Sequence, residues 1–361
     1  MKKKVLHVIT SMLPGGAEVL LANSLSARGL SMHTENHLAY FMGPSYLLDN
    51  LDKEVQVHFL DYKGGADIFS LLNQLRKIIQ DNKIDIVHSH LNPASIYVHI
   101  ACPQNIAHVH TMHTTYSMDN ETSKIKLWVE KYFYLMHKNT NLIFLSDFTK
   151  EDFLKTVSFK GKGFVLNNFV PDVFFELQKS KEQQPRRELK LIAIGTLKTL
   201  KNFEYLLEVF SHLKNHSISL DIFGSGNKGP YEKVIKEVGL KIRMMGHTGN
   251  LKDIITSYDL FIMSSKFEGF PLSVFEAMAA GVPLMLSDIA PLTSIVKDNA
   301  NYFELDDAEK TAQQLIAVLQ NSIDINEMAV KAKAYAEKTV RREIYIKNLL
   351  GIYEQVLIAA G

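Results

Sequence analysis

Two consecutive α/β domains, each a parallel sheet doubly wound by helices, are predicted by three features of this 361-residue chain. Short β-branched runs alternate with segments of helical period from one end to the other. Two such series follow one another, and a polar stretch at 178–188 separates them. The length suits two domains of ordinary size better than one core. The first domain is assigned to residues 1–170 and the second to 171–340. A terminal helix, about 341–361, is expected to pack back on the first domain.

The strands of the first series are read at 5–10, 37–41, 55–60, 84–88, 107–113, 141–146 and 163–168, with helical segments such as 17–28 and 68–80 between them. The second series has strands at 189–197, 218–223, 242–246, 260–264, 282–287 and 302–305, and helices at 203–214, 231–238, 272–280 and 308–319. A helix from 339 to 360 closes the chain.

Composition excludes several classes. Apolar residues are 46% and charged residues 22%, a globular balance. A formal charge of +1 gives no electrostatic footprint for nucleic acid. Cys102 is the one cysteine, which rules out a disulfide framework and a cysteine zinc site and fits a reducing compartment. The apolar run after Lys4 stops within about six residues, short of a signal peptide. No stretch reaches the ~18 apolar residues of a spanning helix. The expected location is cytoplasmic, with peripheral contact at the inner face of the membrane as an addition. That addition rests on residues 123–138. There Ile125, Trp128, Val129, Tyr132, Phe133 and Met136 form a stripe at helical spacing, accompanied by Lys124, Lys126, Lys131 and Lys138. Packing of the stripe on the first sheet is the preferred reading, because every crossover helix needs such a face.

Ligands of doubly wound sheets collect in the loops at the carboxyl ends of the strands, and the chemistry-bearing residues cluster there. Pro14-Gly15-Gly16-Ala17 lies between the first strand and the first helix, where glycines let backbone approach an anion. Eleven of the fourteen histidines precede residue 140. His88 and His90 end one strand, His108 and His110 lie on the next, and His113 stands just past it. No acidic residue interleaves them, so a metal site is set aside. His113, in a loop, is the candidate for a direct role. In the second series, Gly195-Thr196-Leu197-Lys198 leads to Lys201 and Asn202 at a helix start, with Asn202 read as the N-cap. Cations beside free backbone N–H groups suit a phosphate. Gly224 follows the next strand in a Gly-Ser-Gly turn.

The most specific segment runs from Ser264 to Pro283. Glu268 precedes a helix beginning at Pro271 or Leu272, and Glu276 lies about one turn inside it. Glu268 is expected at the level of free N–H groups on Phe270, Leu272 and Ser273. Two carboxylates bracket an anion-binding helix end. Such groups accept from vicinal hydroxyls of a ribose or a sugar, and the helix end between them suits a diphosphate.

The Glu268-x₇-Glu276 block, with Glu-Gly-Phe-Pro and Glu-Ala-Met-Ala-Ala-Gly-Val-Pro around it, resembles the retaining GT-B glycosyltransferases of family 4. Residues 14–18 resemble that family's amino-terminal glycine loop, and 85–90 its mid-domain strand. Residues 111–113 resemble the segment whose histidine faces the donor sugar, 165–168 the one ahead of the interdomain crossing, and 223–226 the base-side glycine turn. The resemblance implies two Rossmann-like domains facing a central cleft. It implies transfer of a sugar from a nucleotide diphosphate, UDP above others, with retention of anomeric configuration and no required metal or other cofactor. The acceptor is a saccharide or lipid-linked saccharide of cell-surface polysaccharide synthesis. Glu268, Lys201 and His113 become the catalytic set. Glu276 is assigned to ribose, and Phe270, Pro271, Leu272, Ser273, Gly15, Gly16, Thr196, Lys198 and Gly224 to donor binding.

Three positions depart from the family pattern. Thr196 replaces the usual Arg after Gly195, Phe169 a usual glycine, and Ser294 a common Glu. Alternatives stay open: a nucleotide-sugar epimerase of the same architecture, or a non-catalytic nucleotide-sugar-binding partner. A dehydrogenase is disfavoured because no loop carries the full dinucleotide glycine fingerprint.

Overall fold

The computed structural model describes residues 2–26, 28–113, 124–136, 140–178 and 188–360. The chain divides into two compact units: 1–169 with 342–361, and 170–341. The boundary falls between Phe169 and Val170, and most of the polar stretch at 178–188 lies outside the described residues.

The first unit carries a seven-stranded sheet of β1 (Lys3–Ile9), β2 (Thr34–Tyr40), β3 (Gln56–Phe59), β4 (Ile86–His90), β5 (Ala107–Met112), β6 (Thr140–Phe144) and β7 (Gly163–Val165), in the order β3-β2-β1-β4-β5-β6-β7. The second carries β8 (Leu189–Ile194), β9 (Ile218–Phe223), β10 (Ile242–Gly246), β11 (Leu260–Met263), β12 (Leu284–Ser287) and β13 (Asn301–Phe303), in the order β10-β9-β8-β11-β12-β13. Every pairing is parallel. Each order reverses once, between β1 and β4 and between β8 and β11, and such a switch point opens a crevice at the carboxyl ends of its two strands.

Helices cover both faces, so central strands are buried along their whole length, as in β4, β5 and β6. Side chains alternate across the sheet and sort into two cores in each unit. In the first unit, Val5, Leu38, Ile86 and Val109 pack under the terminal helix Arg342–Ala360 through Tyr345, Leu349 and Tyr353. Leu6, Ala39 and Val87 face Ile68–Asp81 and Asn92–Ala101. In the second unit, helices Leu272–Ala279 and Ile325–Thr339 share one core, and Phe203–Ser211 and Ala308–Leu319 the other. Edge strand β3 is largely exposed, with Val57 and Phe59 on the surface.

Several expectations need correction. Helix 17–28 ends at Ser24, and helix 203–214 ends at Ser211. The terminal helix starts at Arg342, because 325–339 is a helix of its own that ends just before it. Asn202 holds the cap position of helix Phe203–Ser211 in the left-handed conformation, φ 52°, and its side chain makes no capping bond. A short 3₁₀ turn, Thr199–Lys201, runs straight into the helix and sets that geometry. The helix Lys124–Met136 does not bury its expected stripe. Trp128, Tyr132 and Met136 are exposed, Trp128 at 69%, while Tyr134 is fully buried and Phe133 stacks on His99. Nothing is described of the side chain of Ile125, nor of residue 138.

The terminal helix is tied to the first sheet by a hydrogen bond as well as by packing: Tyr353 OH lies 2.7 Å from Nδ1 of His88, both buried. Tyr353→Phe leaves that nitrogen unpaired and is expected to cost the first unit about 1–3 kcal/mol. Leu349→Ala, which opens a cavity in the same contact, should cost about 2–5 kcal/mol. Urea unfolding followed by circular dichroism measures both, and equal midpoints for all three chains would refute the attachment.

Candidate functional site

The switch point of the second sheet organises the charged residues of that unit. The loop after β8 contains Gly195, Thr196, Lys198 and Lys201; the loop after β11 contains Ser264, Ser265 and Glu268. The two loops are bonded to each other. Lys266 N–H donates to Leu200 O at 2.8 Å, and Ser264 Oγ donates to Asn202 O at 2.9 Å. Lys201 Nζ then reaches Oε1 of Glu268 at 2.6 Å, and the same oxygen accepts from Ser265 Oγ at 2.6 Å. Ser265 is held from behind, since its carbonyl accepts from Ser287 Oγ. The second oxygen of Glu268, Oε2, has no recorded partner among the described residues and remains able to accept from a ligand.

Gly195 lets this happen. The Lys201 stem crosses directly over it, and a Cβ there would stand 3.1 Å from Lys201 Cδ and Cε. Gly224 meets the same loop from β9, where a Cβ would overlap the Gly195 carbonyl. Leu197 N–H donates to Ser225 O at 2.8 Å, so the glycine turn and the lysine loop form one surface. Thr196 and Lys198 are exposed on it.

Past Glu268, Pro271 caps the helix Leu272–Ala279. The Leu272 N–H is not free as expected, because it donates to Phe270 O at 3.1 Å. Phe270 stacks on Phe275 with centroids 4.8 Å apart, Pro271 is buried, and Leu272 and Ser273 are half-buried. Glu276 is partly covered, and no hydrogen-bond partner is recorded for its carboxylate among the described residues. Burial pushes its pKa up to about 7. An acid held without a partner in a desolvating place costs stability and marks a functional position.

In the first unit, Gly15 and Gly16 begin helix Gly16–Ser24. The seat expected for an anion there faces the chain's own carboxylate, since Glu18 folds back over Gly15. Burial raises the Glu18 pKa, and its own backbone N–H opposes that shift. His113 follows β5, and its Nε2 lies 3.3 Å from Nδ1 of His90. Burial holds its pKa down, at about 4. Nitrogens of His7, His88 and His90 come within 4.8 Å of one another. They fit hydrogen bonding better than an ion. Among the described residues no carboxylate or thiolate joins them, and both nitrogens of His88 lie 2.7 Å from hydroxyls, those of Tyr353 and Thr111.

The structure thus brings Lys201, Glu268, Gly195 and Gly224 together in the second unit, with Glu276 further along the same segment. His113, Gly15 and Gly16 belong to the other unit. Sequence reasoning missed Ser265 and His7; a serine at a strand's carboxyl end and a histidine within a buried strand were the available signals. A pocket of about 620 Å³ in the second unit, lined by Lys190, Asp221, Arg243 and Tyr258 among others, opens at the amino ends of its strands, away from this chemistry. Asp221 there is satisfied by a two-bond pair with Arg243 and by Tyr258 OH, each at 2.7 Å.

Comparison with known proteins agrees with the architecture. Residues 14–173 match the family model for glycosyltransferase family 4, and residues 174–339 that for glycosyl transferases group 1. The chain is 25% identical over 352 residues to the UDP-Gal:alpha-D-GlcNAc-diphosphoundecaprenol alpha-1,3-galactosyltransferase of Escherichia coli, covering 89% of each. It is 24% identical over 369 residues to the capsular polysaccharide biosynthesis glycosyltransferase CapH of Staphylococcus aureus, covering 93% of this chain and 99% of the relative. The crystal structure of Anabaena HepE in complex with UDP and glucose superposes with a TM-score of 0.79 at 16% identity, over 98% of this chain and all of the other. The two family models together run from residue 14 to 339 on two doubly wound sheets: the chain is a glycosyltransferase of GT-B fold and belongs to family 4.

Proposed function

We propose that this glycosyltransferase takes its sugar from a nucleotide diphosphate, UDP first, and transfers it with retention to a saccharide or lipid-linked saccharide of a cell-surface polysaccharide. The observation that carries the donor assignment is the unpaired, desolvated carboxylate of Glu276 on the helix that follows the Lys201–Glu268 pair. Glu276 accepts the ribose hydroxyls. Glu268, oriented by Lys201 and Ser265 through one oxygen, offers the other to the sugar ring. Lys201 and the helix end meet the charge that grows on the leaving phosphate, which is where fixed electrostatics lower a barrier most. Phe270, Pro271, Leu272 and Ser273 line the donor, Gly224 and Gly195 admit its diphosphate close to backbone, and Thr196 and Lys198 border it. In the first unit, His113, Gly15 and Gly16 stay the candidates for donor contact, the two glycines only with the Glu18 carboxylate moved aside. No metal or other cofactor takes part. The relatives named for a diphosphoundecaprenol acceptor and for capsular polysaccharide favour an acceptor of that class.

Glu276→Ala should weaken UDP binding through the ribose, whereas Glu268→Ala should also depress turnover. The pH dependence separates Glu276 further. Its folded pKa is raised, so the carboxylate is neutralised as pH falls through about 7, and a ribose held by the ionised form should bind more weakly below that point. The β-phosphate titrates near pH 6 as well, so the difference between wild type and Glu276→Gln is the readout. Calorimetric titrations of UDP from pH 5.5 to 8.5 giving parallel profiles for both chains would sink the ribose assignment.

Lys201→Ala removes one charge-assisted hydrogen bond to phosphate, worth about 1.5–3 kcal/mol, and leaves Glu268 unpaired. Turnover should fall at least tenfold and further than in Lys198→Ala. Thr196→Arg adds a two-pronged cation on an exposed position of the same surface and should tighten UDP binding. Unchanged dissociation constants in Lys201→Ala and Thr196→Arg would mean that the phosphates lie elsewhere.

A membrane contact is favoured by one observation, the exposure of Trp128, Tyr132, Leu135 and Met136 on helix Lys124–Met136. Aromatic and long apolar side chains of this kind enter the interfacial layer of a bilayer. Among the described residues no helix is long and apolar enough to cross it. Co-sedimentation with anionic vesicles at low salt should be lost in Trp128→Ser/Tyr132→Ser, and absence of wild-type binding ends the idea.

A further inference from the structure

The two sheets end in four edge strands, and a side chain stoppers three of them. In a parallel ladder, alternate residues of an edge strand turn their N–H and C=O away from the neighbouring strand. Gly163 is such a residue in β7, since Leu142 N–H takes the Lys162 carbonyl, and the Gly163 carbonyl accepts from Lys150 Nζ at 3.1 Å. In β13 the outward Tyr302 carbonyl accepts from Gln314 Nε2 at 3.3 Å. In β10 the outward Met244 carbonyl accepts from Lys228 Nζ at 3.2 Å, and the exposed Arg243 adds a charge to that edge.

Edge β3 has no such guard. Leu60 N–H donates to Tyr40 O, which turns His58 and Leu60 toward β2 and leaves Val57 and Phe59 facing outward. Among the described residues no side chain is recorded on the backbone groups of either. From Val55 to Leu60 the sequence Val-Gln-Val-His-Phe-Leu holds no Lys, Arg, Asp, Glu or Pro. Gln56, Val57 and Phe59 are exposed, Val57 at 42% and Phe59 at 49%. Folded chains blunt an open, apolar edge of this kind unless another strand pairs with it.

We propose that β3 is a dimerisation edge: two copies of this chain pair antiparallel about a two-fold axis at Val57 and join their first sheets into one. The partner strand is another β3 because the outward carbonyls of the other three edges are taken. A two-fold contact also closes on itself and leaves no open strand behind. In this register the two Val57 residues exchange N–H and C=O bonds, and Phe59 N–H donates to Val55 O of the second copy. Val55 N–H is already held by Asp52 O at 3.1 Å, so the pairing ends there. On one face Val57 meets Val57 and Phe59 meets Val55. That row continues the one formed by Leu38 and Tyr40, on which Phe59 stacks with centroids 4.9 Å apart. Charge agrees with the register. Lys53 and Asp61 stand equally far on either side of Val57, so each falls opposite the other in the second copy. Both are exposed; Lys53 has no recorded partner among the described residues, and Asp61 has a loose surface pair with Lys63 at 3.4 Å.

Sedimentation velocity of the full chain at rising concentration should show a monomer–dimer equilibrium, with or without UDP. Hydrogen exchange should find the Val57 and Phe59 amides protected in the dimer and open in the monomer. Val57→Lys sets two ammonium groups face to face on the axis and should leave the chain monomeric. Because Val57 is exposed, the circular dichroism and urea midpoint of that variant should match the wild type. Lys53→Glu brings a like charge against Asp61 at both symmetric positions and should raise the dimer Kd roughly tenfold, whereas Lys53→Glu/Asp61→Lys should restore it. A chain that stays monomeric up to its solubility limit overturns the proposal. So does a dimer that survives Val57→Lys, or a ladder of larger species, which would mean head-to-tail pairing. A double variant that associates no more tightly than Lys53→Glu overturns the register through Val57.

Discussion

The contact between Lys201 and Glu268 is the constraint around which the second unit's functional surface is arranged. It joins two loops that leave the sheet where its strand order reverses, and it does so with opposite charges that are mostly covered. A short charge-assisted bond in such a place is strong, and removal of either partner leaves a charge that the surroundings do not solvate. Other features follow from this. A side chain at Gly195 would press on the lysine stem, Gly224 must lack one because it abuts the Gly195 carbonyl, and Ser265 holds the carboxylate's orientation. The surface is thus set before any ligand arrives, which is how a site avoids reorganisation during reaction.

The two glutamates of this segment show how environment separates chemically identical groups. Glu268 is compensated by an ammonium and a hydroxyl. Glu276, eight residues on, receives neither and is raised to about 7 by burial alone. One carboxylate is fixed in geometry and the other is held in wait for a partner. Surroundings as different as these identify the roles of two acids more securely than their spacing does.

Much of this was legible in the sequence because it rests on local pattern. The central strands follow from apolar runs that stay buried on both faces, and the helices Ile68–Asp81, Gly229–Val238 and Leu272–Ala279 differ from expectation by two residues or fewer at either end. Helix Asn92–Ala101 was missed because it begins with a proline turn directly after a strand, and Ile325–Thr339 because its buried positions are mostly alanines, which carry a weak periodic signal. The identity of Glu268, Glu276 and Lys201 as a set was readable from type and order. What was not readable is that Glu268 is already engaged, that Leu272 N–H is taken, or that Glu18 covers the first helix end. Those depend on the path of side chains across neighbouring loops, which no spacing along one chain encodes. The histidine cluster is similar: His88, His90 and His113 drew notice, but His7, on a strand about eighty residues earlier, joins them only once β1 and β4 pair.

The helix Arg342–Ala360 completes the first unit although the whole of the second unit precedes it in the chain. Its apolar residues cover the face formed by Val5, Leu38, Ile86 and Val109. During synthesis that face therefore stays uncovered while residues 170–341 are made. At translation speeds of about 5–20 residues per second this lasts on the order of 10–30 s. The second unit has all its strands and helices in hand before the first does, so the carboxyl-terminal body is able to finish first. A nascent chain of this kind offers chaperones one defined apolar surface for one defined interval. Loss of residues 342–361 would make that transient exposure permanent.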